Sequence, residues 1–272
     1  MIDKTLAAQG TALVTGASAG IGKALAEAFA KGGFDLVLTA RREQRLNDVA
    51  AAIARAFNVK TRVIVEDLAD AAAPRRIFDR LKADGITIDA LVNNAGYGVR
   101  GAYAKTSWDQ QRDMMQVLMT APCHLSHLFL PGMMERRRGH ILNVASVAGL
   151  MPGSPGFTLY GPSKAFLVKF SQTLHVEALD AGVHVTALCP GFTYSEFHDV
   201  TGTRAHVSKF PKYMWKTAES VAEAGYAAVM ANRPVIATGW FNNLLWTTRK
   251  YLPEGMAIAA MKKRAKRLAE KR

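Results

Sequence analysis

Of the seven tyrosines in the chain, only Tyr160 has a lysine four residues later, Lys164. On a helix that spacing stacks the two side chains on one face. A free phenol titrates near ~10 and is a poor base at neutral pH, but a neighbouring ammonium favours the phenolate and lowers that value. Such a pair could pass a proton to and from a substrate oxygen. Ser146 stands fourteen residues before Tyr160, at the end of the apolar run HILNVAS (140–146). A hydroxyl there could hold the same oxygen while Tyr160 moves the proton, although a serine in that position can also simply cap a turn.

A second group of residues is built for a phosphate-bearing ligand. TALVTG (11–16) reads as a strand and leads straight into Thr15-Gly16-Ala17-Ser18-Ala19-Gly20-Ile21-Gly22 at the start of a helical stretch. Glycines permit the tight turn and let the backbone approach a pyrophosphate, which then meets the free N–H groups and positive end of the helix. Gly16, Ser18, Gly20, Ile21 and Gly22 are therefore candidate cofactor-binding residues. The next strand, FDLVLTA (34–40), ends in Ala40-Arg41-Arg42 with no carboxylate. An acid at this point would hold the ribose 2′-hydroxyl of NAD, whereas an arginine can pair with a 2′-phosphate, so NADP(H) is expected over NAD(H).

Strand-like and helix-like segments alternate almost to residue 240, with further apolar runs at TRVIVEDL (61–68), IDALVNNAG (88–96), VHVTALCPG (183–191) and PVIATG (234–239). Apolar runs separated by helices mean parallel strands covered on both faces. The expected fold is α/β: a single doubly wound Rossmann-type domain with a mainly parallel seven-stranded sheet. We place the dinucleotide-binding and catalytic domain at 1–240 and a helical, basic extension of it at 241–272. Residues 192–216 interrupt the pattern with Phe192, Tyr194, Phe197, Phe210, Tyr213 and Trp215 among lysines and arginines. They read as a lid, or alternatively as surface helix packed by its own aromatics.

Composition excludes several classes. Hydrophobic residues make up 49% and charged residues 21% of 272, which suits a globular core rather than disorder. Two cysteines supply neither a disulfide framework nor a metal motif, so a reducing compartment is expected. No leader is visible in MIDKTLAAQG and no long apolar span occurs, which points to the cytoplasm. His124 and His127 lack acidic or cysteine partners at suitable spacing, and no metal is expected. The net charge of +13 is concentrated in 261–272, with seven basic residues and one acid. A solvated helical terminus is the preferred reading, with no nucleic-acid partner. The apolar residues from Phe241 to Met261 before it would suit a cover over the pocket, a subunit contact, or peripheral membrane attachment.

Taken together, TGASAGIG, NNAG, Ser146 with YGPSK, and PGFTYS resemble the short-chain dehydrogenase/reductase family over roughly residues 10–240. The resemblance implies hydride exchange between a nicotinamide and a carbonyl or alcohol carbon. Tyr160 would be the acid/base, Lys164 would hold ribose and tyrosine, and Ser146 the substrate oxygen. It also implies that Asp67 and Leu68 lie beside adenine and that Asn94, Ala95 and Gly96 flank the cofactor. Pro190, Gly191, Thr193 and Ser195 would border the nicotinamide, and the assembly would be a homodimer or homotetramer. The departure is Leu118, which stands where the family usually has an asparagine supporting a proton-relay water. A leucine cannot do that, so the alternatives are compensation by Gln116, slow turnover, or a non-catalytic NADP(H)-binding protein. The expected substrate is hydrophobic.

Overall fold

The structure is a computed structural model that describes residues 10–202, 204–208, 210–249, 255–259 and 261–262. Most of the basic 261–272 segment and the first nine residues, on which the tail and leader readings rest, lie outside them.

The chain alternates as the apolar runs require. Strand β1 (Thr11–Thr15) leads to α1 (Gly20–Lys31), β2 (Asp35–Ala40) to α2 (Glu43–Phe57), and β3 (Thr61–Val65) to α3 (Ala73–Ala83). Pro74 sits in the first turn of α3, where its missing N–H costs nothing. Next come β4 (Ala90–Asn93), α4 (Trp108–Met115), a π-helical turn (Gln116–Thr120) and α5 (Ala121–Glu135). They are followed by β5 (Gly139–Val144), α6 (Tyr160–Ala178) and β6 (Val183–Cys189). The remainder comprises β7 (Phe192–Tyr194), α7 (Phe197–Val200), α8 (Arg204–Val207), β8 (Trp215–Thr217), α9 (Ala218–Met230), β9 (Val235–Ala237) and α10 (Trp240–Arg249).

Seven strands form one sheet in the order β3-β2-β1-β4-β5-β6-β9, and every neighbouring pair is parallel. The fold is thus the Rossmann-type doubly wound sheet that the sequence pattern requires. The period of two along each strand separates two cores. Ala12, Val14, Leu36 and Leu38 face α1, α2 and α9 through Leu25, Phe29, Leu46 and Val221. Leu13, Val37 and Leu91 face the opposite layer through Ile77, Leu125 and Leu174. The order reverses between β1 and β4, and this opens a crevice at the carboxyl ends of the strands, where ligands of such sheets bind.

No helix among the described residues is long and apolar enough to cross a membrane, and none of their His, Cys, Asp and Glu side chains forms a metal-binding group. Arg136 to Arg138, at the end of α5, have local tasks: Arg136 donates to the Ile88 carbonyl and Arg137 to that of Asp180.

Candidate active site

The crevice is a cleft of about 1100 Å³ that brings the glycine turn, the ends of β2 and β4, Ser146, Tyr160 and Lys164 onto one wall system. That volume stands at the upper end of the usual span of small-ligand pockets, roughly 300–1,000 Å³.

At one end, Gly16 and Gly20 take left-handed φ values of +67° and +55°. A Cβ on Gly16 would lie 2.8 Å from Ala95 Cα, and one on Gly22 would lie 2.2 Å from the Gly16 carbonyl oxygen. Only glycine lets this turn fold so tightly. Ala19 precedes α1 without any side-chain cap, so the first N–H groups of the helix face a potential ligand rather than a protein group. Asn94 works behind the turn: its Nδ2 donates to the Thr15 carbonyl at 2.9 Å and to that of Gly16 at 3.3 Å. Thr15 Oγ1 in turn accepts the N–H groups of Asn94 and Ala95 at 2.9 and 3.0 Å. Thr15 was not singled out from the sequence because a threonine inside an apolar strand carries no signal of such a clamp.

Beyond the turn the cleft is bordered by Ala40, Arg41, Arg42, Asp67 and Leu68. Arg41 lies 3.7 Å from the Asp67 carboxylate. Arg42, the residue just before α2, points its guanidinium at Ser18 Oγ (3.2 Å from Nη2) and at Glu196 (2.8 Å from Nη1). Arg45 reaches the other oxygen of Glu196 at 2.6 Å. Glu196 and Arg45 are separated by 151 residues and form no motif, so their meeting was not legible in the sequence.

At the other end, Tyr160 opens α6 and Lys164 follows one turn later. The 3-10 turn Val147–Gly149 after β5 brings Ser146 alongside. Gly149 packs so tightly on α6 that a Cβ there would lie 2.5 Å from the Lys164 carbonyl carbon. Ser146 caps the turn, its Oγ accepting the Ala148 N–H at 3.1 Å and lying 3.5 Å from the Pro190 carbonyl, and it lines the same cleft as Tyr160 and Lys164. One expectation needs correcting. Lys164 does not hold the phenol of Tyr160 below its usual range. The ammonium donates to the Val144 carbonyl at 2.7 Å and lies 5.9 Å from the tyrosine ring centroid. Burial pushes Tyr160 up to about 12, against the hydrogen bond from Ser146, and the same burial pushes Lys164 down to about 8.

Leu118 is 1% exposed and lies in the π-helical turn. A Cβ on Gly96 would meet Leu118 Cδ2 at 2.8 Å and Lys164 Nζ at 3.7 Å, so the leucine and the lysine close on the same spot. Gln116 lies two positions earlier, and in the π-helical turn this puts it on roughly the opposite side from Leu118. Its buried Nε2 has no hydrogen-bond partner.

Past Tyr160 the cleft becomes apolar, with Val147, Met151, Phe157, Phe197, Phe210 and Met214 on its walls and Leu245, Ala257 and Met261 from the C-terminal segment. Segment 192–216 combines both readings of it. Phe192 stacks on Phe210 and Trp215, which makes it self-packed, while Phe197 lies 5.6 Å from the Tyr160 ring, which makes it a wall of the site. In the region after Phe241, Leu245, Ala257 and Met261 line the cleft as a pocket cover requires, while Leu244, Met256 and Ile258 are exposed. Pro190, Gly191, Thr193 and Ser195 line the floor between the two ends.

A doubly wound parallel sheet with a glycine turn at its switch point and a Ser/Tyr/Lys cluster beside it defines a nucleotide-dependent oxidoreductase of the short-chain type. The family model for short chain dehydrogenases matches residues 10–204, and the chain belongs to that family. It is 37% identical over 198 residues to a very-long-chain 3-oxoacyl-CoA reductase of Anas platyrhynchos, covering 70% of this chain and 62% of the relative. It is 31% identical over 263 residues to the protein of that name from Mycosarcoma maydis, covering 94% of this chain and 73% of the relative. The chain thus spans less than two thirds of the length of the Anas relative. Among solved structures it is similar to a short-chain dehydrogenase from Sphingobium yanoikuyae in complex with NADPH. That likeness has a TM-score of 0.80 and 29% identity, and covers 91% of this chain and 94% of the other.

Proposed function

We propose that the protein is an NADP(H)-dependent oxidoreductase that interconverts a ketone and an alcohol on a long or bulky apolar substrate. The observation that carries this reading is the convergence of Ser146, Tyr160 and Lys164 at the point where a phosphate-binding turn gives way to an apolar chamber. In the direction of reduction, NADPH when bound would be the source of the hydride for the carbonyl carbon. Ser146 holds the carbonyl oxygen, and Tyr160 donates its proton to that oxygen as charge develops there. Lys164 carries positive charge beside the reacting end, and the aromatic wall of Phe157 and Phe197 keeps water away. Gly16, Ser18, Gly20, Ile21 and Gly22 hold the pyrophosphate end, with Arg41 and Arg42 beside the ribose phosphate. Asp67 and Leu68 border adenine. Asn94, Ala95, Gly96, Pro190, Gly191, Thr193 and Ser195 border the rest of the cofactor.

A 3-oxoacyl-CoA is the first substrate class to test, since the chamber suits an acyl chain and both named relatives are reductases of that kind. The reading of a non-catalytic NADP(H)-binding protein, raised by Leu118, has less support, because Ser146, Tyr160 and Lys164 all line the cleft. We include in the proposal a homo-oligomer, for which α6 offers exposed Phe166 and Val176 and the 3-10 turn after it exposed Leu179, and a reducing, cytoplasmic setting, which two free cysteines fit.

A panel of 3-oxoacyl-CoA esters of increasing length, bulky ketones and sterol-like ketones, followed at the NADPH absorbance band, tests the reading. Tyr160→Phe should retain NADPH binding and lose roughly 10²–10⁴ in turnover, the usual worth of a general acid. Full activity in that variant would remove Tyr160 from the mechanism.

A further inference from the structure

The Glu196 carboxylate is held between two arginines, Arg42 and Arg45, beside the glycine turn. It accepts from Arg42 Nη1 at 2.8 Å and from Arg45 Nη1 at 2.6 Å, while Arg42 also reaches Ser18 in the glycine turn. Ser18, Arg42 and Glu196 all line the main cleft, and Arg45 lines a smaller adjoining pocket together with Ser18 and Glu196, so the ion pairs join the start of α2 to the β7–α7 segment across the boundary of the two. The residues on either side of Glu196 are committed to the site. Ser195 Cβ would sit 3.2 Å from a Cβ on Gly20, and Phe197 packs on the Tyr160 ring.

The electrostatics favour exchange. The two arginines and the glutamate are each about half exposed, with side-chain exposures of 46, 54 and 44%. Pairs in that setting are weakly held. A phosphate monoester carries up to two charges and three acceptor oxygens, so it outbids a single carboxylate for a guanidinium fork. The arginines in turn hold the Glu196 carboxyl below the usual carboxylate range, so it stays charged in competition with the phosphate.

We propose that Glu196 is an internal stand-in for the cofactor's 2′-phosphate. It holds Arg42 and Arg45 in the free protein and gives them up when NADP(H) binds, which makes Glu196 and Arg45 determinants of cofactor choice. The exchange also frees the Ser195–Phe197 backbone from its tie to α2, so phosphate recognition at one end loosens the wall beside Tyr160 at the other. This inference rests on the NADP(H) reading above.

The test is a titration of NADPH, NADH, 2′,5′-ADP and 5′-ADP by calorimetry into the wild type, Glu196→Gln, Glu196→Ser and Arg45→Ala. Removing the internal competitor should tighten NADPH and 2′,5′-ADP by about three- to fivefold in both Glu196 variants, the upper range for one exposed ion pair. NADH and 5′-ADP should change less than about twofold, since they carry no 2′-phosphate to compete. Arg45→Ala should weaken NADPH and leave NADH unchanged. An unaltered NADPH-to-NADH ratio in both Glu196 variants, with a wild type that prefers NADPH, overturns the stand-in and leaves the cofactor reading intact. A wild type that binds both nucleotides equally overturns the cofactor reading and the stand-in with it.

Discussion

Tyr160 and Lys164 illustrate how two neighbouring groups can be pushed in opposite directions by the same burial. The phenol is raised to about 12 and the ammonium lowered to about 8. Each shift favours the neutral form, as desolvation must. For ketone reduction the proton on Tyr160 is therefore present throughout the neutral range. The positive charge on Lys164 is present below about 8 and lost as pH rises through it. The reduction rate should be flat from acid pH to neutrality and fall above about 8. Alcohol oxidation needs the phenolate, so its rate relative to reduction should climb with pH across the alkaline range. Paired initial-rate profiles in both directions check this, and a reduction rate that rises through pH 8 to 9 would contradict the roles given to both groups. Linkage gives a further sign: the native state binds fewer protons at Lys164 than the unfolded chain does between the lowered value and the ordinary one. This residue therefore adds stability as pH rises through that window.

At the level of elements, the turn between β1 and α1 is the most constrained piece of backbone in the site. It is held from outside by Asn94 and Thr15 and from inside by contacts that exclude a Cβ. Gly22→Ala would force a methyl to 2.2 Å from the Gly16 carbonyl oxygen, so the turn must open. We expect NADPH affinity to drop at least tenfold, about 1.4 kcal/mol, with a smaller change in melting temperature. Equal NADPH affinity in Gly22→Ala and wild type, measured by nicotinamide fluorescence, would show that the turn does not touch the pyrophosphate. The π-helical turn between α4 and α5 is the second element of note. Such turns occur often at functional sites, and this one carries Leu118 to the back of Gly96 and Lys164.

Across the whole molecule, the sheet and the α6 layer are joined by a buried polar bridge. Asn143, fully buried in β5, accepts from Asn93 Nδ2 of β4 at 2.8 Å and donates to Ser171 Oγ of α6 at 2.9 Å. Since α6 carries Tyr160 and Lys164, this bridge fixes the catalytic helix against the strands that carry the cofactor end. Asn143→Ala removes two buried hydrogen bonds, leaving Asn93 Nδ2 only its longer contacts with Pro122 and Ser126 and Ser171 its bond to the Leu167 carbonyl, and should cost about 1–3 kcal/mol of stability. A urea midpoint equal to that of wild type would show that the bridge contributes nothing net. The C-terminal segment works at the same scale, for Leu245, Ala257 and Met261 close the apolar chamber from a point in the chain far from the glycine turn.

The sequence alone determined what depends on local spacing. The period of two in the strands, the apolar runs between helices and the glycine turn settled the sheet and the end at which a nucleotide would lie. The four-residue step from Tyr160 to Lys164 placed both on one helix face, and the absence of an acid after Ala40 left Arg41 and Arg42 as the candidates for a phosphate. Tertiary structure decided whatever depends on groups distant in the chain or on solvent access. Glu196 meets Arg42 and Arg45 only because the β7–α7 segment folds over the start of α2. Thr15 clamps β4, and Asn143 spans three elements. The direction of the Tyr160 shift also belongs here. Spacing predicted a lysine beside the phenol, but how far burial outweighs that charge is set by the packing of the cleft, and no one-dimensional pattern encodes it.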